Sequence, residues 1–212
     1  MPLEKIVSAS GRAWALWCIT EDETSLVTQL GGIEEITPTI TNGNKRLEWL
    51  AGRLLVSSVF LSMSLKFQGL TKDPYGKPSP IGCDHHVSLS HSFPYVAALV
   101  DHQGPVGIDL EQPKEKLFRI ASRVLHPIEL ADAGNELKKH CIYWCAKEAL
   151  IKIYGKKDLT LAENLRIDPF HLAGEGDVRG RIIVSNRETI IPLHYFVFPN
   201  FVMVLNERTF PL

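Results

Sequence analysis

The chain has 212 residues, 45% of them hydrophobic and 22% charged, with 23 Lys and Arg set against 24 Asp and Glu. Such a composition suits a globular protein long enough for one large or two small cores, and its near-neutral charge argues against a protein that coats nucleic acid. The N-terminal MPLEKIVSASGR lacks the apolar run of a signal peptide, no segment reaches membrane-spanning length, and the four cysteines show no CxxC spacing. The expectation is a cytoplasmic protein with free thiols that binds neither nucleic acid nor membrane.

In chain order, RAWALWCIT (12–20) predicts a strand, and Thr20 with Glu23 forms a capping box for a short helix. Leu47, Leu50, Ala51, Leu54, Leu55, Ser58 and Leu61 follow helical spacing over 45–62. TKDPYGKPSPIG (71–82) is punctuated by Pro and Gly and predicts loop and turn. HHVSLSH, YVAALVD and VGIDLEQ then read as three strands of an antiparallel meander. After Pro113 the pattern turns helical: KEKLFRIASRVL, a second helix opened by Pro127, and a third over 136–154 closed by Gly155. NLRIDPFHLA, VRGRIIVS, TIIPLHYFVF and FVMVLNER return to strands, with turn signals between them. The expected architecture is α+β in two halves, 1–105 and 106–212.

Two stretches carry the chemistry. In VGIDLEQ, Asp109 and Glu111 lie two apart on a strand and therefore point to one side, where like charges repel unless a cation joins them. In WCAKEALIKIYG, Trp144, Glu148 and Lys152 share a helix face, which by itself suits a Glu–Lys salt bridge. Together the chain offers three carboxylates. Oxygen donors of this kind suit Mg²⁺, which keeps coordination positions for water and substrate phosphates.

VGIDLE (106–111) followed by WCAKEALIK (144–152) resembles the paired motifs of the 4'-phosphopantetheinyl transferase superfamily, a V/I-G-V/I-D-x-E strand and a W-x-x-K-E-x-x-x-K helix. YGKP (75–78) resembles the family's G-K-P loop, and SLSHS (88–92) its N-x-S-H-S strand with Ser in place of Asn. The upstream pair and the length resemble the longer, surfactin-synthetase-activating type. The resemblance implies two similar α/β halves related by a pseudo-twofold, with coenzyme A in the cleft between them. It implies transfer of the phosphopantetheine arm to a serine of an apo carrier protein, leaving adenosine 3',5'-bisphosphate. Asp109, Glu111 and Glu148 would hold Mg²⁺, with Glu148 also the base and Lys152 assisting at the phosphates. Arg53, Lys77, Ser90 and His91 would grip the adenosine bisphosphate portion, and a chain with both halves would work as a monomer.

Lys147 is by spacing a solvated or carboxylate-paired lysine, and the resemblance makes it a phosphate contact. Glu129 stands where some family members carry a second base, although Val124, Leu125 and His126 replace the usual F-F-S before it. Lys116, Arg119 and Arg123 align on one helix face near Asp109 and Glu111, and are expected to dock an acidic carrier protein. The alternative is a non-catalytic coenzyme A binding protein, which would have no need of all of Asp109, Glu111, Glu148 and Lys152.

Overall fold

A computed structural model describes residues 3–34, 39–156 and 158–207. The chain divides into two compact units, Met1–Val106 and Gly107–Leu212, each mixing helix with antiparallel sheet. Among the described residues no helix is long and apolar enough to cross a membrane.

In the first unit, β1 (Leu3–Ala9), β2 (Arg12–Cys18), β5 (His86–Ser92) and β6 (Tyr95–Asp101) form a sheet in the order β1-β2-β6-β5. The interior of β2 is buried on both faces, which explains its unbroken Ala-Trp-Ala-Leu-Trp run. α1 (Glu23–Leu30) is capped by Asp22 rather than Thr20, because the Ser25 N–H donates to the Asp22 carboxylate at 2.8 Å. α2 (Gly43–Ser62) lays Leu50, Ala51, Leu55 and Val59 against Trp17, Val87, Val96 and Ala98 in one core. Each Leu and Val among them contributes about 1.5–3 kcal/mol on burial. The turn-rich segment expected over 71–82 is tied into a short ribbon, β3 (Leu70–Lys72) against β4 (Pro78–Pro80). The Asp73 carboxylate shapes it by accepting from the N–H groups of Tyr75 and Lys77 at 2.9 and 2.8 Å.

The second unit holds β7 (Ile108–Glu111), α3 (Lys116–Val124), α4 (Pro127–Ala133), α5 (Leu137–Tyr154), α6 (Leu161–Asn164), β8 (Leu165–Ile167), β9 (Glu175–Val184), β10 (Arg187–Val197) and β11 (Val202–Asn206). Its sheet order is β7-β11-β10-β9-β8. The meander expected of the three runs from 85 to 112 is therefore corrected. β5 and β6 pair, but β7 joins β11 in the other sheet, with Asp109 opposite Val204. β6 is already flanked by β2 and β5 and has no edge to offer a third strand. The strand expected over 201–208 is β11; Arg208 lies outside the described residues. Ser185 and Asn186, both with positive φ, turn the β9–β10 hairpin. Gly155, at φ +78°, caps α5 as expected.

α5 packs Cys141, Ile142, Cys145, Ala146 and Leu150 into the core that includes Val178, Leu193, Val202 and Val204. β7 lies so close to this helix that a Cβ on Gly107 would stand 2.0 Å from the Ala149 carbonyl oxygen. Gly107→Ala is therefore expected to push the strand off the helix and cost about 3 kcal/mol. Chemical denaturation measures this; a loss under about 0.5 kcal/mol would show that the close approach is dispensable.

Candidate functional site

Asp109 and Glu111 share one face of β7 with Gly107 just before it, and the clash a side chain would meet at Gly107 identifies it as the face turned to α5. Glu148 and Lys152, one turn apart on α5, meet that face. Lys152 Nζ donates to the Asp109 carboxylate and to the Ile108 carbonyl, both at 2.7 Å. Asp109 is buried, and Glu111 and Glu148 are half-buried. Burial raises the Glu148 pKa, the charge of Asp109 raises it further, and Lys152 opposes both only in part. Glu111 is drawn to Lys116, whose ammonium lies 2.9 Å from it on the other side of the turn into α3. Underneath, the Cys141 thiol donates to the Glu111 carbonyl at 3.4 Å. Burial, Cys141 and Asp109 together push the Cys145 thiol up, so it is an inert core group. Trp144 packs half-buried against the same core.

The candidate ligand atoms on these two elements are all carboxylate oxygens, and the repulsion between Asp109 and Glu148 is offset only in part by Lys152. That combination fits a hard divalent cation. Among the described residues, the group of three donors whose ligand atoms lie within 4.8 Å of one another is a different one, Asp177, His194 and Glu207. Asp177 and Glu207 are exposed, and His194 Nδ1 lies 2.6 Å from Asp177.

Lys147 and Glu129 do not join the β7–α5 cluster. Lys147 leaves α5 on another face, where its Nζ meets Glu129 at 2.6 Å and donates to the carbonyls of Val124 at 2.8 Å and Leu161 at 3.0 Å. Glu129 also accepts from the N–H groups of His126 and Ile167, both at 2.7 Å. The first of these is half of the capping box that starts α4, in which His126 is the cap. The two side chains are 0% and 1% exposed. All three Nζ donors are used and neither group opens to a ligand, so the roles expected of Lys147 at a phosphate and of Glu129 as a base give way to a buried clamp between helices. The reason is directional: the residue before Glu148 is turned by about 100° around the helix axis.

Of the basic face expected on α3, Arg119 and Arg123 are exposed, and Lys116 is exposed while paired with Glu111.

In the first unit, a cavity of about 550 Å³ opens at the N-terminal turn of α2. Asn42, Lys45, Trp49, Arg53, Lys72 and His91 are among its walls. The Arg53 guanidinium stacks on Trp49, 3.9 Å from the ring centroid, and its Nε donates to Glu34 at 3.2 Å. Burial lowers the Arg53 pKa and the Glu34 charge opposes this. Strand alternation sends Leu89 and His91 of β5 into the cavity wall and turns the buried Ser90 to the opposite face. Gly76 and Pro78 line the cavity on either side of Lys77. The Lys77 ammonium is half-buried, with its pKa lowered by burial against the pull of Asp73, and its charge acts on His86. Arg53 and His91 thus share one cavity, while Ser90 does not face it.

Sequence reasoning passed over Glu48, Lys45, Lys72 and Trp49 in this cavity, and Gly107 in the other unit. Glu48 had a signal: it is a carboxylate three and four residues before Ala51 and Gly52 on the apolar face of α2.

Residues 105–199, from just before β7 to just beyond β10, match the model of the 4'-phosphopantetheinyl transferase superfamily. The chain is similar to the 4'-phosphopantetheinyl transferase AcpT of Salmonella typhimurium, 31% identical over 121 residues, which are 53% of this chain and 61% of that protein. It is similar to the 4'-phosphopantetheinyl transferase Sfp of Bacillus subtilis strain 168, 34% identical over 119 residues, half of this chain and 51% of the relative. A further 4'-phosphopantetheinyl transferase of Bacillus subtilis is 35% identical over 88 residues, 39% of either chain. The matches thus span about two fifths to three fifths of these relatives' own lengths.

Proposed function

We propose that the protein is a 4'-phosphopantetheinyl transferase of the longer, surfactin-synthetase-activating type, acting in the cytoplasm on an apo carrier protein with coenzyme A as co-substrate. The observation that carries this reading is the meeting of Asp109, Glu148 and Lys152 across β7 and α5, inside the segment that matches the superfamily. In the reaction the carrier's serine oxygen forms a bond to the phosphorus bearing the pantetheine arm. The bond from that phosphorus to the bridging oxygen breaks, and adenosine 3',5'-bisphosphate leaves. Glu148, beside Asp109 on the face where the serine would arrive, takes the serine proton. Asp109, Glu111 and Glu148 would hold Mg²⁺, which when bound supplies charge neutralisation at the diphosphate. Lys152, released from Asp109, turns its ammonium to the phosphates and balances the charge that develops on the leaving group. Arg53, Lys77 and His91 receive the nucleotide end, and Arg119 and Arg123 offer exposed positive charge to an acidic carrier.

The test is the intact mass of candidate apo carrier proteins incubated with this protein, coenzyme A and Mg²⁺. One added phosphopantetheine per carrier is expected, and none when the metal is chelated. Tight binding of coenzyme A with no mass gain on any carrier would instead make the protein a non-catalytic coenzyme A binder.

A further inference from the structure

A carboxylate on the buried face of a helix is costly unless donors answer it. Glu48 lies on α2 with 3% of its surface exposed. Its answering groups are Lys45 Nζ at 2.7 Å, His91 Nδ1 at 3.2 Å and the Phe93 N–H at 2.9 Å. Burial works against the charged form, yet His91 and Lys45 outweigh it and hold the pKa at about 2, so the carboxylate is ionised at neutral pH. Of the three partners, Phe93 contributes only its backbone N–H and Lys45 is largely exposed. His91 is the one fixed by a strand in the cavity wall.

An imidazole whose Nδ1 is engaged by a carboxylate carries a proton there, which leaves Nε2 as the ring nitrogen a ligand can meet. In its imidazolium form such a ring donates a charge-assisted hydrogen bond from Nε2 to an anion while Nδ1 faces the carboxylate. The surroundings favour an anion. Among the described lining residues, Lys45, Arg53 and Lys72 stand with His91 against Glu48, and Asn42 with the first turn of α2 forms part of the wall. Helix N-termini favour negative charge.

We propose that Glu48 is a positioning residue for anion recognition in this cavity, holding His91 so that a nucleotide carrying a phosphate monoester is preferred over the same nucleotide without it. The inference rests on the coenzyme A reading, in which that monoester is the 3'-phosphate. It adds the residue that aims the histidine, which no motif names.

Titration calorimetry on the full chain with coenzyme A and with dephospho-coenzyme A tests it without requiring turnover. Glu48→Gln keeps the side-chain shape and removes the charge. Affinity for coenzyme A is expected to fall about tenfold while that for dephospho-coenzyme A stays unchanged. His91→Ala should cause the same selective loss, and the double variant should lose no more than either single one. His91 is partly exposed, so this variant remains informative should Glu48→Gln fail to fold. Nitrogen NMR of the wild-type His91 ring should also report a protonated Nδ1. Equal weakening toward both nucleotides would mean that Glu48 merely supports the fold, and would overturn the proposal. Unchanged discrimination in the folded variants would overturn it too, as would a wild type that binds both nucleotides equally. A wild type that binds neither would overturn the coenzyme A reading along with it.

Discussion

Replacing Glu148 by Gln is expected to lower carrier modification at least about 100-fold while leaving the protein no less stable. Gln has the same shape but can neither take a proton nor offer a charged oxygen to a cation. The stability half follows from the sign of the pKa shift. Burial and Asp109 raise the Glu148 pKa above its unfolded value, so the folded state binds the proton more tightly than the unfolded one. At pH values above the folded pKa the ionised Glu148 therefore costs stability, a cost that disappears as pH falls below the unfolded value. Gln removes the charge altogether, and Lys152 keeps Asp109 as its partner at 2.7 Å. Steady-state rates with a modifiable carrier and denaturant titrations without metal measure the two halves. Turnover within a few-fold of wild type would remove Glu148 from the chemistry. A marked loss of stability would show that its carboxylate is a structural anchor.

Lys147→Met is expected to have the largest effect on stability, a loss of about 3–5 kcal/mol, although Met fills nearly the same volume. The substitution leaves the Glu129 carboxylate without its cation in a place no solvent reaches, and leaves the Val124 and Leu161 carbonyls without a donor. The double variant Lys147→Met, Glu129→Gln should regain part of the loss, because the buried charge is gone, although the single amide oxygen can replace only one of the two carboxylate oxygens that accept from His126 and Ile167. Denaturation of both variants, followed by a signal from the second unit, measures this. A single variant as stable as wild type would mean that Lys147 reaches solvent and is open to a ligand after all. Activity in the double variant, once it is refolded and stable, should return with stability, since the clamp sets where α5 lies and does not touch substrate.

The helices were legible because their boundaries are written in local chemistry. Gly155 closes α5 with the left-handed conformation its sequence position suggests, and Pro127 opens α4. The pairing of strands was only partly legible. VGIDLEQ alternates as a strand should, but alternation says nothing about which neighbour a strand takes, and its partner is 95 residues away where Asp109 faces Val204 with the β6 edges already filled. In the same way, Glu148 and Lys152 were visible as a helix face and Asp109 as a strand residue. Their meeting depends on Gly107, whose lack of a side chain lets strand and helix close to contact.

The sequence by itself determined the local elements and the order of the four motifs, and with them the match of residues 105–199 to the superfamily model. Those properties depend on residue type and spacing along one stretch of chain. Only the tertiary structure decided what each charged side chain does, because that depends on groups distant in sequence. Neighbouring Lys147 and Glu148 look equivalent on paper, yet the helix turns one into a sealed pair with Glu129 and the other toward Asp109. Ser90 and His91 part company across a strand in the same way, and Glu48, silent in every motif, comes to stand behind the histidine that faces the cavity.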